Sequence, residues 1–430
     1  MTDGGRPLRI CLATTFYPPQ SFGGDAVAVQ RLAEALARRG HAVRVIHDRD
    51  PYELLGGDPT PSEPVDPDGV GRITMGGSAM GRIDLILSHQ LGRPVGRARR
   101  LRELFRGFDV THFHNISLLG GPGVLRYGQG VKLCTLHDYW FICPTHILWR
   151  MDREPCERRT CLRCTLAHGR PPQLWRRTGA LSRASSGIDA FLVGSEFARR
   201  RHVEGGLDER IVERIEVLPQ FMPDDEIERS PRPPRGTPDD GSARPFFLVA
   251  SRLEKAKGVQ EVIRAFADFR SADLRIAGRG GFEPELREMA RGLQHVGFLG
   301  QQSRDALRDL YRGAAAVIVP SLCYETFGLV ALEALAVGTP VVVRDRGALP
   351  EIVEATGGGL VYSEPGGLRL ALARLLAHPE LGGELGERGR RAVQRDFSES
   401  TVMDSYLTLV RELLSGTGHV LNADRASPRL

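Results

Sequence analysis

The sequence predicts an α/β protein of two doubly wound, Rossmann-like parallel domains facing across a cleft. Three observations carry this prediction. Short apolar strands alternate with amphipathic helices in two separate series. A segment rich in Pro, Asp and Arg, without apolar periodicity, interrupts the alternation at 223–245. Most strands run into polar residues, as expected where strand C-termini face a site.

The first series opens with "LRICLAT" (8–14), a buried strand, followed by the loop "FYPPQSFGG" (16–24). "AVAVQRLAEALARRGH" reads as a helix with Gly40 as its stop, and "AVRVIHD" (42–48) as the next strand. "DVTHFHN" (109–115), "KLCTLHD" (132–138) and "AFLVGSE" (190–196) continue it as strands. The second series starts at "FFLVASR" and passes through "VQEVIRAFADF", "LRIAG", "EPELREMARGL" and "VGFLG". It then reaches "SRDALRDLYRGA", "AAVIVPS", "GLVALEALAVG" and "PVVVRD". The expected organisation is a first domain at 1–222 with a cysteine-rich insert at about 140–170, a linker at 223–245, and a second domain at 246–400. Residues 401–430 form a last amphipathic helix, able to pack on either domain, and a loose tail.

The chain of 430 residues is long enough for two domains. Its net charge of +5 is too mild to argue for nucleic acid as a partner. No apolar run reaches the ~20 residues that span a bilayer. The N-terminus lacks a leader pattern, so a cytoplasmic protein is expected, with the inner membrane face as a candidate peripheral contact. That contact rests on the arginines of "GRPVGRARRLRELFRGF" (92–108), whose plainer reading is a solvated helix face.

Lysine is nearly absent: Lys132, Lys255 and Lys257 are the only three. Two of them fall with Arg252 in "SRLEKAKG", beyond a strand end, where cations suit a phosphate. In "SLCYETFGLVALEALAVGTPVVV" (321–343), Glu325 and Glu333 stand eight apart around an apolar run. Thr326 is expected to cap a helix beginning at Phe327, leaving the amides of Phe327, Gly328 and Leu329 free for an anion or sugar. Glu333 would lie about 10–12 Å further along, at ~1.5 Å per residue. Placed so, one carboxylate serves the sugar end and the other the ribose end of a nucleotide sugar; the plainer alternative is that Glu333 pairs with an arginine.

His137 ends a buried strand beside Asp138, which is expected to orient it; a purely structural histidine is the alternative. His112 and His114 are weaker candidates of the same kind. Cys143, Cys156, Cys161 and Cys164 have the spacing C-x12-C-x4-C-x2-C. That spacing makes them a candidate structural zinc site, with disulfides or free thiols as alternatives. Trp140, Trp149 and Trp175 lie in or near the same insert and suit either a sugar-binding wall or a loop core.

"E-T-F-G-L-V-A-L-E" resembles the E-x7-E motif of retaining glycosyltransferases of the GT-B fold, family 4 in particular. "SRLEKAKGVQEVI" and the N-terminal glycine loop resemble segments of the same family, over roughly 8–410. The resemblance implies transfer of a sugar from a nucleoside diphosphate sugar to an acceptor hydroxyl, with retention and with no cofactor or metal required for catalysis. The acceptor would be a glycan, a lipid-linked glycan or a small natural product. The resemblance gives Arg252 and Lys257 to the diphosphate, with Gly23 and Gly24 closing on it. It gives Glu325, Phe327, Gly328, Leu329 and His137 to the sugar, His137 on its C6 side. Glu333 would hold the ribose, and Gly278 and Gly280 would lie near the base.

Two other chemistries compete. A GT-B enzyme can instead epimerise or phosphorolyse its sugar substrate. A dinucleotide-dependent oxidoreductase shares the domain pattern, but no G-x-G-x-x-G stands between the first strand and first helix. A scaffold with a decayed site would not keep Arg252, Lys257, Glu325 and Glu333 together.

Overall fold

The computed structural model describes residues 6–57, 68–77, 79–227 and 244–416. Most of the expected linker (228–243) and the tail from 417 lie outside the described residues. The strands are β1 Arg9–Ala13, β2 Ala42–Asp48, β3 Val70–Met75, β4 Val110–Phe113, β5 Val131–Thr135, β6 Trp149–Arg150, β7 Glu154–Pro155, β8 Ala190–Val193 and β9 Ile215–Val217. They continue with β10 Phe246–Ala250, β11 Asp273–Ala277, β12 Val296–Gly300, β13 Ala316–Val319, β14 Val341–Arg344 and β15 Gly359–Tyr362.

Two parallel sheets result. The front sheet has the order β3-β2-β1-β4-β5-β8-β9 and the rear sheet β12-β11-β10-β13-β14-β15. Inner strands such as "AFLV" and "FFLVA" are buried on both faces, which is why they read as continuous apolar runs. Helices cover both sides of each sheet, giving each lobe two apolar layers. The expected α/β class and doubly wound architecture are therefore present.

The last helix, Glu399–Leu414, returns to the front lobe. Val402, Met403, Tyr406, Leu407 and Val410 join Ile10, Leu12, Val29 and Leu133 in one core. The two chain crossings between lobes run side by side. The Met222 N–H donates to Phe397 O at 2.8 Å, and the Glu399 N–H to Met222 O at 2.8 Å. In each sheet the strand order reverses at one place, β1/β4 in front and β10/β13 behind. Loops after those strands diverge and leave a crevice, where ligands of open α/β sheets bind.

Candidate active site

The rear crevice is built from two loops stitched together by backbone. After β10, the loop carrying Arg252, Lys255 and Lys257 ends at Gly258, whose φ is 75°. A Cβ there would stand 2.0 Å from Pro320 O, so only glycine lets this loop lie against the one following β13. The N–H groups of Leu322 and Cys323 both donate to Ala256 O, at 2.8 and 3.1 Å. This stitching places Lys257 Nζ 2.7 Å from Glu325 Oε1, which also accepts from the Ser321 hydroxyl at 2.5 Å.

The pair is charged on both sides. Burial alone would raise the Glu325 pKa, but Lys257, the two hydrogen bonds and the nearby Arg252 outweigh it and the net direction is down. Burial opposes the Lys257 ammonium, and Glu325 with Cys323 reverses that, so its pKa is raised. Arg252 reaches Glu254 Oε1 at 2.8 Å and stays close to half exposed, with a guanidinium free to turn toward an incoming anion. Arg252, Lys257 and Glu325 thus lie within reach of one another's charge.

The helix start differs from expectation. The helix runs Leu329–Ala336 with Gly328 before it, and no side chain caps it. The Thr326 hydroxyl points to the other lobe and donates to His137 O at 2.8 Å, while Thr326 O accepts from the Ser195 hydroxyl at 2.7 Å. Thr326 is a lobe-to-lobe tie rather than a cap. Phe327 is buried in the rear core. Gly24 faces this helix start: a Cβ on it would meet Leu329 Cδ2 at 3.5 Å. Gly23 precedes the helix Gly24–Arg38 in extended conformation. The front glycine loop and the rear helix start therefore oppose each other across the crevice.

Glu333 is already engaged. Its Oε1 accepts from Arg31 Nη2 at 2.9 Å and its Oε2 from the Tyr311 hydroxyl at 3.0 Å. Arg31 comes from the front helix, is almost fully buried, and also reaches Glu226 at 3.4 Å. Its Nε and Nη1 are buried without a partner. Carboxylate oxygens accept about four hydrogen bonds, so ribose hydroxyls would share Glu333 with Arg31 rather than find it empty. Reading Glu333 as the partner of an arginine was thus accurate as to contact, and the arginine was missed. The signal was in the sequence: Arg31 falls inside the buried stripe Ala28, Val29, Leu32, Ala35, as Glu333 falls inside its own apolar helix.

On the front side, His137 lies at the end of β5 and its Nε2 meets His114 Nδ1 at 2.9 Å. Asp138 does not orient it. That carboxylate instead holds His146 Nδ1 at 2.8 Å and accepts from the Trp140 N–H at 2.7 Å. His112 lies against His114, with ring centroids 4.0 Å apart and the planes tilted by 35°, and bonds to Tyr406 and Thr135. Burial pushes His112 down to about 3 and His114 well below the usual range. Burial also lowers His137, against the pull of Asp25 and Asp138. Three neutral imidazoles follow, with the His137 tautomer tied to that of His114. His114, rated weakly from sequence, is the direct support of His137.

Gly278 has φ 135°, and a Cβ would lie 1.9 Å from Ser251 O; Gly280 comes as close to Leu253 O, at 2.3 Å. Both glycines let the β11 loop pack on the Arg252 loop, which accounts for them without a nucleobase. The four insert thiols are free, with Cys143 and Cys164 buried and Cys161 exposed. They lie close enough that all three others act on Cys156. Each of Cys143, Cys156 and Cys164 has a local partner instead: Thr145, Arg158 O and the Met151 N–H. Among the described residues no three His, Cys, Asp or Glu side chains are gathered as a metal cage. Trp149 packs on Ala256 and Cys323, so the insert leans on the rear lobe's phosphate-side loops. Trp140 and Trp175 belong to the front core.

Two facing parallel-sheet lobes, with cations and a helix start across from a glycine loop, define a GT-B glycosyltransferase scaffold. The family model for glycosyl transferases group 1 matches residues 238–392, and that for glycosyltransferase family 4 matches 22–226. The chain belongs to this family and is a glycosyltransferase. An uncharacterized glycosyltransferase of Methanocaldococcus jannaschii is 28% identical over 86% of this chain and 89% of its own length. Sucrose-phosphate synthase of Thermosynechococcus elongatus shares the fold at TM-score 0.70 and 20% identity, over 95% of this chain and all of that one. Anabaena HepE, solved with UDP and glucose, does so at TM-score 0.66 and 18% identity, over 94% and 99%.

Proposed function

We propose that this glycosyltransferase moves a sugar, with retention of anomeric configuration, from a nucleoside diphosphate sugar to an acceptor hydroxyl. The observation that carries this reading is the Lys257–Glu325 pair, held at 2.7 Å within reach of the charge of Arg252. A diphosphate entering there meets an ammonium held in place by the stitched loops and a guanidinium able to turn toward it. Preorganised charge of this kind is the main lever for a departing phosphate. Glu325 keeps Lys257 in place until the donor arrives. Lys257 then shares its charge with the diphosphate, and the carboxylate accepts from sugar hydroxyls. His137, neutral and backed by His114, offers one ring nitrogen to the sugar from the front lobe. The Thr326–His137 and Ser195–Thr326 bonds keep the lobes together and exclude water that would hydrolyse the donor. HepE, solved with UDP and glucose, supports a donor of the same class. The acceptor is read as a carbohydrate, lipid-linked or small-molecule hydroxyl, and the setting as the cytoplasm.

A panel of UDP, GDP and ADP sugars, scored by thermal shift and by donor hydrolysis without acceptor, tests this reading. One donor is expected to raise the melting temperature in the wild type and not in Glu333→Ala. A shift with NAD and with no nucleotide sugar would move the assignment to an oxidoreductase. Retention is read from the anomeric proton coupling of the product.

A further inference from the structure

The helix Ala79–Leu91 shows an apolar stripe to solvent and buries polar groups. Its buried face carries Asp84 and Ser88 beside Leu85. These receive the N–H groups of the following loop: Gly96 and Arg97 on Asp84 at 2.6 and 3.2 Å, and Val95 on Ser88 at 3.2 Å. Its solvent face carries Ile83, Ile86, Leu87 and Leu91, exposed by 53, 53, 45 and 49%. Their spacing puts all four on one stripe. A surface helix ordinarily has the opposite arrangement, so this face is built for something less polar than water.

The surroundings enlarge the patch and give it a sign. Leu54 and Leu55, on and after the helix Asp50–Leu54 that packs against it, are exposed by 50 and 56%. Between residues 79 and 107 the exposed charged residues are Arg82, Arg93, Arg99, Arg100, Arg102 and Arg106 against Glu103; Arg82 pairs with Glu53 and Arg99 with Glu103, which leaves arginine in excess. An apolar stripe in a segment rich in exposed arginine is the pattern of a helix lying in a bilayer interface, where guanidinium groups meet lipid phosphates while the stripe enters the acyl boundary. No described helix is long and apolar enough to cross a membrane, so the contact is one of docking.

We propose that this face docks the front lobe on an anionic lipid bilayer. The patch is continuous with the crevice. Phe22, one residue before Gly23, packs on Tyr52 of the neighbouring helix at 4.7 Å. Docking there brings the glycine loop close to the membrane plane, where a lipid-linked acceptor would be presented. The acceptor clause rests on the transferase reading above; the docking itself does not.

Flotation of the full chain with phosphatidylcholine vesicles, with and without phosphatidylglycerol, is the test. Binding is expected with the anionic vesicles and to weaken with salt. The double variant Ile83→Ser, Leu87→Ser is expected to lose it at least tenfold, and Arg99→Glu, Arg100→Glu to lose it with the salt dependence. All these side chains are exposed, so melting temperature and donor binding should match the wild type. Three results would overturn docking: no wild-type flotation, undiminished flotation of both variants, or a dimer that only the serine variant abolishes, which would assign the face to a second copy. If docking holds while the donor panel fails, the surface stands and only the acceptor clause falls.

Discussion

The two lobes share one architecture and assemble their chemistry in different ways. In the rear lobe the groups proposed to meet phosphate and sugar come from two loops flanking one reversal of strand order, residues 252–258 and 321–328, each locked on the other by backbone bonds. In the front lobe the contributions are scattered: Gly23 and Gly24, Arg31, His112 and His114, His137, Ser195 and the insert. The rear lobe offers charge held by short loops. The front lobe offers buried neutral histidines and ties that reach across the crevice. A site made of loops leaves its signature in contiguous sequence, whereas a site made of through-space contacts does not.

The sharpest way to break this comparison is Lys257→Ala. It removes the cation nearest the proposed leaving phosphate and leaves the Glu325 carboxylate with Ser321 alone. Loss of kcat/KM of about 10²–10³ is expected, equivalent to about 3–4 kcal/mol, the range for one preorganised electrostatic donor. Steady-state turnover of the donor measures it. A loss below tenfold would mean the rear lobe does not carry the charge chemistry.

Acid stability should separate the lobes next. His47, His89, His112, His114, His137 and His202 all belong to the front lobe, and burial lowers every one, His47 and His112 to about 3 and His89 to about 4. A histidine depressed in the folded state is neutral there, while the unfolded chain takes up the proton near its ordinary value of 6.5. The stability contributed is therefore complete above about pH 6.5 and is lost as pH falls toward 4, by up to ~1.4 kcal/mol per pH unit for each such group. Melting temperature against pH should fall steeply over that window, and His112→Gln should flatten the fall. An unchanged slope in that variant would take His112 out of the account.

What could be read from sequence follows the same division. The strand–helix alternation, the lysine pair in a nearly lysine-free chain and the two glutamates were legible because they are local. Strands β3, β9 and β15 escaped because they lie at sheet edges, only partly buried, and so lack a continuous apolar run. Thr326 read as a cap because its neighbours look like a helix start; its true partners, His137 and Ser195, are 189 and 131 residues away. Arg31 and Glu333 are separated by 302 residues, and each was an anomaly in its own apolar stripe. Only the fold shows that two anomalies of opposite sign answer each other.

That pair supplies a smaller, sharper test. Arg31→Met keeps the apolar bulk and removes a buried guanidinium whose Nε and Nη1 have no partner. Methionine brings no polar group of its own, but the largely buried Glu333 carboxylate loses its cation, so a lower melting temperature is expected with the fold retained. Glu333 would then be held by Tyr311 alone. If Arg31 positions Glu333 for the ribose, the donor KM should rise about tenfold, ~1.4 kcal/mol, with kcat nearly unchanged. Arg31→Lys should recover part of that. A fall in kcat at constant KM would instead make Arg31 a tie for lobe closure.

The smallest effects are expected in the cysteine insert, and there the pattern among four variants matters more than any size. If the thiols only pack, each should matter by its own surroundings. Cys161→Ser, exposed, should change stability by less than ~0.5 kcal/mol, and Cys143→Ser, buried beside Tyr139 and Leu148, should cost about 1–2 kcal/mol. If they hold zinc, burial is irrelevant, because losing any ligand opens the whole cage. All four serine variants would then lose the same stability, and purified protein would carry about one zinc per chain. The unequal burial and the separate partners of Cys143, Cys156 and Cys164 favour the first pattern, with donor turnover nearly intact throughout. Equal losses accompanied by zinc would make the insert a metal-braced wall whose Trp149 steadies the rear loops. The front lobe would then influence the donor site through a rigid support as well as through its histidines.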